Sequence, residues 1–312
     1  MIFQGTIKSI VCTLDLASPA SQGLTDWSVT AARLLGAELC LFHAIPSPAD
    51  QLHPTAEFEY GGDLQDRREL RLAQLRELMQ ATDFPWRPEV AAGEPAEALQ
   101  SLCARQPVDL VVAGSQSIRG FKRLLMGTVV ERLAHMVLCP LLFLRPARLQ
   151  PVKIVNIGIC CDLSAGDRHL IRYGQELARA FQSRLHLLHA MEAAADDSIV
   201  DSTQGPYQEV QQVLQQRIEQ KLLNVEKSLP HPVDAVNART FAGSVAYGLL
   251  DVVADMRIDL LIIGVRRKSV IDKLVMGSST HAALRRARCH VLTVPLARLP
   301  TEGGTVSNAA RT

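Results

Sequence analysis

Apolar residues along the chain fall into two alternating rhythms. TIKSIVCTL, ELCLFHAI, DLVVAG and CPLLFL, with a shorter PWRPEV, are β-rich runs of about four to eight residues. Near-continuous apolar runs of that length are the signature of strands buried on both faces of a parallel sheet. Between them the period changes to that of a helix. Leu24, Trp27, Ala31, Leu34 and Leu35 share one helical face, and so do Leu170, Gly174, Leu177, Ala178 and Phe181 further on. Two longer and more charged segments, 63–81 and 207–228, read as outer helices. Strands alternating with helices call for crossover connections, hence a doubly wound parallel α/β sheet.

The pattern is written twice. IVCTLDLAS, closing its strand at Asp15, returns as IGICCDLSA at Asp162, and LCLFHA with His43 returns as LHLLHA with His189. VDLVVAG then matches IDLLIIG, RLLMGT matches KLVMGS, and Cys139 matches Cys289. The spacing between copies drifts by only a few residues, a drift that belongs in loops, so one fold is duplicated. The expected division is 1–148 and 149–298, each with five strands, followed by a polar, Gly-containing tail over 299–312. The join, PARLQPV from Pro146 to Val152, stops a strand without offering a long tether, so the halves are expected to pack together.

Composition narrows the function classes. The 312 residues carry 33 Lys+Arg against 32 Asp+Glu, a formal charge of +1, which is not the footprint of a protein that grips nucleic acid or an anionic membrane. HMVLCPLLFL, bounded by Arg132 and Arg145, is too short to cross a bilayer. The first residues lack the order of a secretory signal, which points to the cytoplasm. Seven cysteines without a CxxC argue against a disulfide framework and for small core hydrophobes, with adjacent Cys160 and Cys161 pointing to opposite faces of one strand.

Candidate chemistry concentrates after the fourth strand of each half. GSQSIRGFKRLLMGT, Gly114 to Thr128, lies between a strand and a helix, where unpaired N–H groups and the helix dipole favour an anion such as phosphate. Thr128 also opens T-x-x-E with Glu131, so an ordinary capping box explains the same residues. The second copy, GVRRKSVIDKLVMGS from Gly264 to Ser278, has no such Glu. The bases Arg119, Lys122, Arg123, Arg266, Lys268 and Lys273 either steer an anion or form a solvated face. Asp196, Asp197 and Asp201 read as a solvated loop, and His43 and His189 as strand histidines rather than metal ligands; His186 and His189 face opposite sides. Walker, Rossmann, nucleophile-elbow and zincin motifs are absent, and catalysis has no positive support.

These residues resemble the universal stress proteins, in particular the bacterial tandem type with two fused domains. The family's loop reads G-x2-G-x9-G-[S/T]; here it is Gly114, Ser117, Gly127, Thr128 in one half and Gly264, Arg267, Gly277, Ser278 in the other. Asp15 and Asp162 stand where the family closes its first strand with Asp. The resemblance implies strand order 3-2-1-4-5 and a crevice at the carboxyl ends of strands one and four. It implies ATP, with Mg as a companion ion, held by Asp15 and Ala44, or Asp162 and Ala190, at the base and ribose, and by the loop residues at the phosphates. Ser117 and Arg267 depart from the second glycine; Arg267 either pairs with a phosphate or fills its place. The first half is therefore expected to keep the better site of a stress regulator, with at most slow hydrolysis or autophosphorylation at Thr128 or Ser278. The alternative is degenerate sites that bind an apolar small molecule or a protein partner. The resemblance also implies pairing of the two last strands, CPLLFL and CHVLTV, in an intramolecular pseudo-dimer, with a homodimer of such units as a further option.

Overall fold

The alternating rhythm is realised in a computed structural model as one continuous ten-stranded sheet. The structure describes residues 7–45, 63–115, 128–149, 152–162, 166–191, 236–242, 245–266 and 277–296, together with 216 and 220. The first half contains β1 (Ser9–Thr13), α1 (Ser21–Leu35), β2 (Glu38–Ile45), α2 (Leu64–Leu78), β3 (Trp86–Ala92), α3 (Pro95–Arg105), β4 (Leu110–Gly114), α4 (Thr128–Met136) and β5 (Leu141–Leu144). The second contains β6 (Asn156–Cys161), α5 (Asp167–Phe181), β7 (Arg184–Met191), β8 (Val236–Ala242), α6 (Val245–Asp255), β9 (Leu260–Arg266), α7 (Ser278–Arg286) and β10 (His290–Leu296). Segment 207–228, the loop with Asp196, Asp197 and Asp201, and the tail over 299–312 lie outside the described residues, residues 216 and 220 excepted.

The sheet order is β3-β2-β1-β4-β5-β10-β9-β6-β7-β8. Each half thus has the order 3-2-1-4-5, all parallel, and the second runs as the mirror sequence of the first. Its strands are also parallel among themselves. The halves meet where β5 and β10 pair antiparallel, Phe143 opposite Val291 and Leu142 opposite Leu292. An apolar edge that would otherwise invite a second chain is closed within one chain. Between the halves Pro146–Arg148 forms a single 3-10 turn.

Two apolar cores cover the two faces and each is continuous across both halves. One collects Ile10, Trp27, Leu41, Leu142, Ile159, Tyr173 and Leu292, under α1 and α5. The other collects Val11, Phe42, Phe143, Leu261 and Val291, under α3, α4, α6 and α7. Alternation along the strands assigns neighbours to opposite cores, so Cys161 joins the first and Cys160 packs on the second. Across the junction Trp27 stacks on Phe181 at 5.7 Å between centroids, and the Tyr173 hydroxyl donates to the Asp109 carbonyl at 3.0 Å. Arg145, on the first half, donates to the carbonyls of Ala283, Leu284 and Cys289 at 3.0, 2.7 and 3.2 Å, at the carboxyl end of α7. The Ala283 carbonyl also accepts the Ala287 N–H at 3.0 Å, whereas Leu284 and Cys289 lie where the helix runs out of N–H donors, and a cation suits that end of the dipole.

Local details correct the periodic reading at three points. Leu34 is 49 % exposed while Leu24, Trp27 and Ala31 are buried. Ten residues after Leu24 a helix has turned about 80° short of full register, so Leu34 falls off the stripe that Leu35 continues. The charged helix begins after Asp63, whose carboxylate caps the N–H groups of Gln65 and Asp66, and ends at Leu78 rather than 81. At α7 the cap is Gly277, without a side-chain bond, and Ser278 is the first helical residue; α4 likewise starts at Thr128. The capping-box register that gives Thr128 the capping position is thus shifted by one residue.

Candidate functional site

The winding reverses beside β1, whose neighbours are β2 on one side and β4 on the other. Thr13 pairs with Phe42 and with Ala113, and the Leu14 N–H carries the pairing on to the Phe42 carbonyl at 2.9 Å. Continuing that register by two residues puts Asp15, Ala44 and Ser115 level at the carboxyl edge, one per strand. In the second half Cys160 pairs with Leu188 and Ile263, so Asp162, Ala190 and Val265 are level in the same way. The sequence-derived Asp and Ala positions therefore converge on one edge per half.

Asp15 is held by local bonds. Its Oδ1 accepts from the Ala17 N–H at 3.1 Å, and its carbonyl accepts from the Ser18 N–H at 2.8 Å and from the Ser21 hydroxyl. This turn carries the chain from β1 into α1, whose first residue is Ser21. His43 secures the preceding residue, donating from Nδ1 to the Leu14 carbonyl at 2.9 Å. His189 repeats the device, donating to the Cys161 carbonyl at 2.8 Å. Because a carbonyl only accepts, the proton sits on Nδ1 in both rings. These histidines orient the backbone on which the two aspartates follow, which the reading of them as strand residues did not specify. Among the described residues no group of three or more His, Cys, Asp or Glu side chains is placed to hold a metal ion.

Two polar atoms at the first edge are buried and have no hydrogen-bond partner among the described residues: Asp15 Oδ2 and Ser115 Oγ. A buried carboxylate oxygen and hydroxyl left unpaired cost on the order of 1–3 kcal/mol each. Ser115 is 6 % exposed, and its N–H donates to the Leu144 carbonyl at 2.9 Å, so its place is fixed by the sheet. The pair fits a ligand that offers a hydroxyl or amine to the carboxylate and a polar group to the serine. Ser115 went unnoticed in the sequence; the signal was its alignment with Val265, the one polar-to-apolar change at the end of the two matching strands.

The second edge differs in floor and rim. Val265, 3 % exposed, replaces the serine, and β9 continues through Val265 and Arg266 opposite Pro295 and Leu296 of β10. Gly264, the first glycine of the second loop, consequently lies inside a strand, whereas Gly114 ends β4. A Cβ on Gly264 would come to 2.7 Å from Leu296 Cδ1 and 3.2 Å from Leu170 Cδ1. Its lack of a side chain is accounted for by packing against Leu296 of β10 and Leu170 of α5. Among the described residues nothing lies within 4 Å of the same position on Gly277, and its φ of −66° is ordinary, so backbone strain does not demand glycine there. Asp162 is exposed, and its N–H donates to Asp167 Oδ1 at 3.2 Å. Ser117, Gly127 and Arg267 lie outside the described residues, as do Arg119, Lys122, Arg123, Lys268 and Lys273; for Thr128, Ala190 and Ser278 only the backbone is described.

Comparison with known proteins follows this geometry. The sequence model of the Universal stress protein family matches twice, over residues 6–145 and 154–295. A universal stress protein of Bacillus subtilis is 34 % identical over 55 residues, 18 % of this chain, and the match spans 37 % of that protein's length. Among solved structures, a universal stress protein from Archaeoglobus fulgidus superposes with a TM-score of 0.66 at 15 % identity, covering 94 % of this chain and 99 % of that one. A protein of unknown function from Pseudomonas aeruginosa gives 0.65 at 13 % identity, covering 93 % of both chains. At such identities the shared property is the tandem fold.

Proposed function

Because the chain belongs to the universal stress protein family, with one domain in each half, we propose that it is a stress-response binding protein that takes an adenine nucleotide at the first edge. The division is taken at 1–148 and 149–298. The observation that carries this reading is the pair of buried, unpartnered atoms, Asp15 Oδ2 and Ser115 Oγ, at the topological switch point of the first half. Asp15 would accept from the ribose or base, with Ala44 as the wall on β2. Gly114, Gly127 and Thr128, at the mouth of the strand-to-helix loop, would face phosphates with main-chain N–H groups and a hydroxyl. ATP supplies the anion, and the ion that travels with it would be Mg.

The second half offers Asp162 and Ala190 at the matching level, but an apolar Val265 and an extended β9 where the first half has a free hydroxyl and a strand end. Binding is therefore assigned chiefly to the first half, and hydrolysis is at most slow. Among the described residues no helix is long and apolar enough to cross a membrane. Titration calorimetry of the full chain with ATP tests the assignment. Asp15→Ala is expected to weaken binding by about tenfold or more, the worth of one or more hydrogen bonds to a charged group, and Asp162→Ala to change it by less than about twofold. Equal losses in the two variants would overturn the assignment to the first half, and no binding to the wild-type chain would overturn the nucleotide itself.

A further inference from the structure

Outside the crevice, α3 and the turn into β5 bring two thiols together. Cys103 lies near the end of α3 and Cys139 between α4 and β5; both are partly exposed, and their Sγ atoms are 3.3 Å apart. The Cys139 S–H donates to the Cys103 sulfur. That contact draws the Cys103 thiol below its ordinary value, while the same contact and burial push Cys139 up. Elsewhere burial pushes Cys12 and Cys160 up to about 12 and Cys40 and Cys289 up to about 11. Thiols so protonated are poor nucleophiles, so Cys103 stands apart. The second half has Val253 and Cys289 at the matching positions, half of the pair.

We propose that Cys103 and Cys139 form a reversible intramolecular disulfide on reaction with hydrogen peroxide. The Cys103 thiolate attacks one peroxide oxygen; the O–O bond breaks, and the departing hydroxide takes up a proton as water. Cys103 is left as a sulfenic acid. The Cys139 sulfur attacks the Cys103 sulfur, the S–O bond breaks, and the leaving oxygen carries off the Cys139 proton as a second water. Two thiols lose two electrons and two protons, and the peroxide becomes two waters. The sulfurs approach by about 1.2 Å to reach a disulfide bond length. The bond closes a loop that contains β4, Ser115 and the whole of α4, so it ties together the two ends of the segment that brings Ser115 to the first edge and raises the thermal midpoint by several degrees.

The test takes the reduced full chain, treats it with hydrogen peroxide, blocks remaining thiols with iodoacetamide and maps peptides by mass spectrometry. The expected result is a cross-linked pair of peptides containing Cys103 and Cys139, lighter by two hydrogens and restored by dithiothreitol. Cys103→Ser and Cys139→Ser, checked for native circular dichroism, yield no link. The proposal is overturned if both thiols in the wild-type chain are still alkylated after peroxide, or if Cys103 proceeds to sulfinic acid without a link.

Discussion

Replacing Arg145 by methionine isolates what one side chain contributes to the union of the halves. The substitution keeps most of the aliphatic stem and removes a guanidinium that bonds three carbonyls at 2.7 to 3.2 Å. Ala283 is buried completely and Leu284 is 2 % exposed, so water replaces those bonds poorly. Ala283 keeps the Ala287 N–H at 3.0 Å, but the Leu284 and Cys289 carbonyls, left short of a partner, cost about 1–1.5 kcal/mol each, and loss of a cation at the carboxyl end of α7 adds about 0.5–1 kcal/mol. The sum is about 3 kcal/mol. Burial already pulls the Arg145 guanidinium below its ordinary value, an opposing desolvation cost that methionine does not carry, so about 2–3 kcal/mol is expected. Urea unfolding followed by circular dichroism measures this, with Arg148→Met as the comparison. Arg148 pairs with Asp259 at 3.0 Å from a side chain 44 % exposed, and such a pair contributes less than about 1 kcal/mol. Hydrogen exchange should quicken at residues 283–290 in the Arg145 variant alone. Stability within about 0.5 kcal/mol of wild type, or equal losses in the two variants, would refute the claim that Arg145 caps α7 across the junction.

Stability should also fall with acid through His290. Burial first, then the Arg148 charge, lower its pKa from 6.5 to about 4, and its Nδ1 already accepts the Arg145 N–H at 3.0 Å. Asp259 and Arg145 are the other charges that act on it. Since the unfolded chain gains this proton near pH 6.5 and the folded chain only near 4, about 2 kcal/mol is lost between pH 7 and pH 5; His290→Asn should flatten that part of a urea-midpoint profile, and an unchanged slope would contradict it. Gly264→Ala should cost about 1–2 kcal/mol, through the 2.7 Å approach to Leu296, yet leave ATP affinity unaltered. Calorimetry showing a loss of binding at unchanged stability would return Gly264 to the site.

What local chemistry could announce was legible in the chain. Strand runs, helical stripes and the repeat depend on periods of two and 3.6 residues and on self-similarity, all of which survive in one dimension. They placed Asp15 and Asp162 at strand ends and Cys160 and Cys161 on opposite faces. Leu34 was misplaced because a stripe drifts with each turn, and only the neighbouring elements decide where it closes.

The tertiary structure decided everything that depends on which strands become neighbours and where they stop. Ser115 matters because β4 ends level with β1, and Val265 because β9 does not stop at the same place. Arg145 meets α7, and Cys103 meets Cys139, across separations of 138 and 36 residues that no periodicity encodes. Hydrogen bonds and thiol chemistry act over about 3 Å in space, so partners distant in sequence become visible only once the sheet has set their geometry.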